Sequence, residues 1–325
     1  MLDALRNAFS HEHSPIWRDS STTSYCNLFQ GHVGGPVRLA EITGSAAYER
    51  FSAHQIAKVI CDDGDLSKFC ESTRRISLAS SFMPSLFTGC IAPIDHADGS
   101  GMNLLNIREK GWEPLTLSAL CRTIGTSRGM QEGHECYIAV NGDEETINTS
   151  DSTVAKTAGK EQNKSEEEGQ RRGCIVPTLQ RCLGATVPSH SKVGQICEYM
   201  QTRFRLSKDC IVIAGSGDNP CSAVGLSLVS PGDVAVSLGT SDTLFGIVHS
   251  PLCAKEGHVF VSASDPDHYF ALLCYKNGSL TREKVLRECM EREQSQAKRL
   301  LMEYVYITIY MIYIYIGMTR MASHK

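Results

Sequence analysis

Apolar and polar positions alternate along this chain in two rhythms. His54-Gln-Ile-Ala-Lys-Val-Ile60 has helical spacing, and Val193 to Phe204 and Gly278 to Cys289 predict further helices. Ser279 is the candidate cap of the last, with Glu283 and Lys284 on its exposed face. β-Branched runs at 210–214, 233–238 and 243–248 stop at polar turns and predict strands, and two more are expected near 258–261 and 269–274. Arg75 to Phe87 predicts a buried segment with a strand-like or helical core. Pro15 to Thr23 reads as a turn rich in candidate N-cap residues, and Asp95 to Met102 as a polar loop.

The rhythm breaks between about 125 and 173. This acid-rich stretch has a single aromatic residue, Tyr137, and too little apolar surface to offset the entropy of ordering, so a disordered acidic insertion is expected. It breaks again at 301–325, where Tyr304 to Ile316 is almost entirely Tyr, Ile and other apolar residues. That run is too short to span a bilayer, which takes about 18 residues or more. A repeated TAT-ATA codon pair encodes Tyr-Ile repeatedly, and the run is expected to be an aberrant tail.

With 325 residues, two domains are the natural expectation. The net charge of −4 and the lack of a basic block argue against a nucleic-acid partner. The fourteen cysteines are scattered, no Cys-x-x-Cys pair occurs, and Met1 to Phe9 has no apolar secretory core, so a cytoplasmic location without a membrane partner is expected.

Candidate chemistry concentrates in two turns. The run ending Ile211-Val-Ile-Ala-Gly-Ser-Gly217 leads into Asp218-Asn219-Pro220. An Asp beyond the carboxyl end of a buried strand, in the crevice of an open α/β sheet, can accept the proton of an attacking hydroxyl, and Asn219 can bond a neighbouring hydroxyl. The same four residues also make an ordinary β-turn. Gly239-Thr240-Ser241, between two strands, can offer backbone amides and hydroxyls to phosphate oxygens, or can be a plain hairpin loop. Arg50 can bind several sugar hydroxyls, and Trp17 and Asp19 can stack on and bond a sugar. His11 and His13 have no third ligand nearby, and no metal site is assigned. No P-loop, dinucleotide fingerprint or hydrolase elbow occurs.

In order along the chain, Pro15 to Thr23, Thr43 to Phe51, Gln55 to Lys58, Pro93 to Leu105, Gly217 to Pro220, Ala235 to Phe245 and Leu272 to Leu280 together resemble the FGGY carbohydrate kinases, and within them the animal-type xylulose kinases. The resemblance spans about 12–120 and 174–290. It implies an α/β fold of the ribonuclease-H-like, actin-like two-lobed kind, with sugar and ATP meeting between the lobes. The implied division is a partial sugar-side lobe at 1–124, its end at 174–208 after the insertion, and the start of the second lobe at 209–300.

By the same resemblance Asp218 is the catalytic base, and Arg50, Asp218 and Asn219 hold the sugar. Gly239 and Thr240, with Ser241 beside them, contact phosphate. The substrates are D-xylulose and ATP, with Mg²⁺ as the accompanying ion. The family's Asp-Gly-Thr phosphate turn, Gln-Gln-His-Gly sugar loop and Gly-rich adenosine region have no counterpart in these residues, so little or no turnover is expected of this chain. The alternatives are a non-catalytic sugar- or partner-binding remnant, or a mis-assembled gene-model fragment.

Overall fold

The computed structural model describes residues 5, 7–16, 18–64, 66–129, 137–139, 172–291 and 302–305. Trp17, most of the expected insertion and nearly all of the Tyr/Ile-rich tail lie outside the described residues.

Helices dominate the first part: α1 (Thr23–Val33), α2 (Pro36–Thr43), α3 (Ser52–Asp62), α4 (Leu66–Ser72) and α5 (Ala79–Thr88). In α3, Ala53, Ile56, Ala57 and Ile60 repeat at intervals of three and four residues, which gathers them on one face. That face is buried against Phe29 and Val33 of α1, and against Leu117, Leu120 and Ile124 of α7 (Pro114–Ser127). Between α5 and α7 the chain makes β1 (Ile94–Asp95), the single-turn α6 (His96–Gly99), and the short antiparallel pair β2 (Leu105–Asn106) and β3 (Gly111–Trp112). The stretch read as a polar loop is thus a strand-to-helix corner. Asp95 caps α6, accepting the backbone N–H of Ala97 and Asp98.

Beyond α7, β4 (Tyr137–Ala139) pairs antiparallel with β5 (Arg172–Cys174). α8 (Ile175–Leu183) adds Ile175, Leu179 and Leu183 to the helical core. β6 (Thr186–Val187) runs parallel to β1. The helix predicted from Val193 to Phe204 divides in two. Its first residues form β7 (Lys192–Gln195), antiparallel to β8 (Ile211–Ile213), and only Glu198–Phe204 is helical, as α9. Gly194 explains part of the difference: a Cβ there would lie 2.8 Å from Cγ2 of Thr88, so the strand passes close against α5.

α10 (Asp218–Gly225) follows, and then the four-stranded antiparallel sheet β11-β12-β10-β9, made of β9 (Val234–Leu238), β10 (Asp242–Val248), β11 (His258–Val261) and β12 (Tyr269–Tyr275). All four fall where the β-branched runs predict strands. Phe245 pairs with Leu272 and Ile247 with Phe270, and this alternate set faces inward with Phe260 to make a second core. Full burial of Phe270 is worth about 2–3 kcal/mol. α11 (Gly278–Glu291) follows the sheet; it begins at Gly278, so Ser279 lies inside the helix and does not cap it.

The two cores meet at Gly44. Its backbone has φ +85°, its carbonyl accepts the N–H of Val259 at 2.8 Å, and a Cβ there would overlap the Val259 carbonyl oxygen. Beside it, buried His54 reaches Asn103 (3.2 Å), whose amide donates to Thr43 Oγ and the Ser45 carbonyl; Ser45 Oγ lies 3.0 Å from His258. Asn103 spends its amide hydrogens on those oxygens, so its carbonyl oxygen must accept, and His54 Nε2 carries the proton.

Candidate functional site

Asp218 is the first residue of α10, where the positive end of the helix dipole favours a carboxylate. It is exposed. Its Oδ1 accepts the Asn219 backbone N–H at 2.8 Å and the Asn219 side-chain amide at 3.1 Å, so the two side chains form one polar face. Pro220, in the first turn, has no N–H to lose there and is buried. The strand leading to this turn differs from expectation. β8 is covered on one face only: Val212 is buried, whereas Ile211 and Ile213 are 52% and 47% exposed, and its partner is antiparallel. The crevice at the end of a buried parallel strand is therefore not what places Asp218 in the described residues.

A second acidic group lies beneath it. Asp95 caps α6 and Asp98 lies within it, and the Asp98 carboxyl is pushed up to about 6, chiefly by burial; the Ser80 hydroxyl opposes this, and the charges of Asp95 and Asp218 add to it. Gly217 is required here, since a Cβ would stand 2.7 Å from Asp98 Oδ1. Sequence reasoning missed both residues, because an Asp-x-x-Asp-Gly string looks like any polar turn.

Arg50 sits in the turn before α3. Its guanidinium donates to the Tyr48 hydroxyl at 2.8 Å and lies over that ring, 4.5 Å from the centroid. The turn is held by the Glu49 carbonyl, which accepts Thr22 Oγ at 2.6 Å and the Gln55 amide at 2.9 Å. Asp19 belongs to the same corner: Ser21 N–H donates to it at 2.8 Å, and its carboxyl is held below the usual range by Ser21 first and then by Lys58 of α3. Asp19 and Arg50 are thereby brought to one place. Phe51, next to Arg50, and Ala223 of α10 belong to the same second core.

Gly239, Thr240 and Ser241 form the turn of the β9–β10 hairpin. α11 braces it. Arg282 donates to the Gly239 carbonyl at 2.9 Å and pairs with Asp242, which is 8% exposed and also accepts the Tyr304 hydroxyl at 3.3 Å. Gly239 and Thr240 stay exposed, with their carbonyls engaged by Arg282 and by Ser279 N–H. This brace joins residues forty positions apart and left no signal in the sequence.

No protein-family model matches the chain. Individual relatives do. It is 39% identical over 291 residues to "Xylulose kinase 2" of Arabidopsis thaliana, covering 90% of this chain and 42% of that protein. It is 41% identical over 284 residues to "Xylulose kinase" of Mus musculus, covering 87% of this chain and 41% of that protein. The chain is a relative of the xylulose kinases. It spans about two-fifths of the length of these xylulose kinases, and the plant and mouse proteins are similar to it in nearly equal degree.

Solved structures agree on the fold. A xylulose kinase from Bifidobacterium adolescentis superposes with TM-score 0.59 at 15% identity, over 86% of this chain and 51% of that one. A Plasmodium falciparum glycerol kinase solved with ADP gives 0.60 at 11% identity, over 91% and 48%. The fold is the α/β, actin-like (ribonuclease-H-like) fold of sugar kinases, present here in part.

Proposed function

We propose that this chain carries the sugar side of a xylulose kinase, with Asp218 as base and Arg50, Asp218, Asn219 and Asp19 around the sugar; Trp17, outside the described residues, joins them by sequence position. The observation that carries the reading is the exposed Asp218–Asn219 pair opening α10, in a chain about 40% identical to proteins named xylulose kinase.

In the reaction proposed for the whole protein, D-xylulose presents its C5 hydroxyl to Asp218. As the oxygen forms its bond to the ATP γ-phosphorus, the bond from that phosphorus to the bridging oxygen breaks, and ADP leaves with that electron pair. The hydroxyl proton passes to Asp218, and the product is D-xylulose 5-phosphate. Asn219 orients both the carboxylate and a neighbouring hydroxyl. Such transfer is mostly positioning and charge neutralisation. Gly239, Thr240 and Ser241 offer an exposed turn to the phosphates, held open by Arg282.

Mg²⁺ neutralises phosphate charge when bound with ATP. In this reading the ion is carried largely by the phosphates and water. The free cysteines among the described residues suit a reducing compartment, and the reading places the protein in the cytoplasm. No helix among the described residues is long and apolar enough to cross a membrane.

Binding tests this reading directly, because it needs only the sugar-side residues. D-Xylulose at about 100 times its dissociation constant should stabilise the chain by about 2.7 kcal/mol, a rise of a few degrees in Tm. Asp218→Ala should abolish the rise. No rise in the unsubstituted chain, or an equal rise in the variant, contradicts it. A rise without phosphate transfer from ATP would favour the non-catalytic sugar-binding alternative.

A further inference from the structure

Three consecutive residues of the Asp218 turn are each engaged from below by the β1–α6 corner. Asp95, fully buried, accepts Ser216 Oγ at 2.7 Å and Ser189 Oγ at 2.6 Å on one oxygen, together with Ala97 N–H at 3.1 Å. Asp98 accepts the Ser80 hydroxyl and presses its other oxygen against Gly217. The charge of Asp218 adds to the rise of the Asp98 carboxyl.

We propose that Asp95 and Asp98 are the positioning residues of the sugar site: Asp95 fixes Ser216, Asp98 backs Gly217, and together they set the direction in which Asp218 and Asn219 face the sugar. This rests on the sugar-side reading of Asp218 and Asn219. Holding a loop requires only hydrogen-bond partners, and a neutral side chain would supply them without the desolvation cost of a charge. Placing two carboxylates under a third does something else: it makes the turn respond to a proton. Burial holds Asp98 up to about 6, so it gains a proton just below neutral pH and its repulsion of Asp218 is relieved. The groups around it are Asp95 on β1 and Asp218 on α10. The Cys221 thiol, one turn into α10, feels all three carboxylates. His96, on the same helical turn, is acted on by Lys110 and His190.

The test uses the full chain labelled with ¹⁵N. Between pH 5 and 8 the amide signals of Gly217, Asp218 and Asn219 should move through one transition near pH 6, and Asp98→Asn should remove it while unfolding at a Tm no lower than the unsubstituted chain at pH 7. Ser216→Ala, which deletes only the hydroxyl given to Asp95, should bind D-xylulose about tenfold more weakly with little change in Tm. A transition that persists in Asp98→Asn, or is missing from the unsubstituted chain, overturns the proposal. So does unchanged affinity in Ser216→Ala when the unsubstituted chain binds the sugar. If the chain binds no D-xylulose yet shows the transition and loses it in Asp98→Asn, the role of Asp98 beneath the turn stands and the sugar reading falls.

Discussion

Asp242 shows how much one side chain can depend on another in this molecule. It is buried at the foot of the Gly239–Ser241 turn and charge-paired with Arg282. Removing Arg282 leaves that carboxylate with the Tyr304 hydroxyl, and an uncompensated buried charge is costly. Arg282→Ala is therefore expected to destabilise the chain by about 2–3 kcal/mol, read as a lower urea midpoint with an unchanged slope. Arg282→Ala combined with Asp242→Asn should recover part of the loss. Residues of this kind were not legible in the sequence. Asp218, Asn219 and Gly239 advertise themselves because tight turns demand small and polar residues next to apolar runs. Asp95, Asp98, Asp242 and Arg282 work on partners far along the chain, and no local pattern records that.

At the scale of elements, the strands of the four-stranded sheet were the most legible part. Their β-branched runs end at Gly- and Asp-rich turns, and burial of alternate residues such as Phe245 and Ile247 follows from the pleat. The stretch 193–204 was misread because helical spacing in Tyr199 to Phe204 masked a preceding strand whose pairing with β8 is set by tertiary contact. Gly44 ties the end of α2 to β11. With φ at +85° and the Val259 carbonyl where a Cβ would go, Gly44→Ala must push β11 from its seat. A loss of about 3 kcal/mol is expected, measured by equilibrium unfolding. A loss under about 0.5 kcal/mol would show that the junction between the two cores is not packed this way.

Across the described molecule, two buried histidines, His54 and His96, and the half-buried His258 govern the response to acid. His54, His96 and His258 are each pushed down to about 4 by burial, with Lys110 and His190 adding to the effect at His96 and Arg50 at His258. Each remains neutral in the fold but becomes charged in the unfolded chain below its ordinary value of about 6.5. Their contribution to stability is complete above that value and is lost as pH falls from about 6.5 to about 4, up to about 3 kcal/mol for His54 alone. Asp98 has the opposite sign: raised to about 6, it favours the fold as pH drops below that point. The histidines outnumber it, so stability should fall with acid, and His54→Gln should flatten the fall measured by Tm between pH 7 and 5.

The surface adds a second whole-molecule expectation. Among the described residues β9 is an edge strand, and it exposes Val236 (41%) and Leu238 (61%). An unprotected apolar edge pairs with other chains, so concentration-dependent association should be visible by light scattering. Val236→Lys should reduce it.

Calorimetric titration of D-xylulose into the chain and into Asp218→Ala tests the central claim most directly. The account predicts saturable one-to-one binding by the first and at least tenfold weaker binding, or none, by the second. Equal binding by both, or no heat beyond dilution in either, would contradict it.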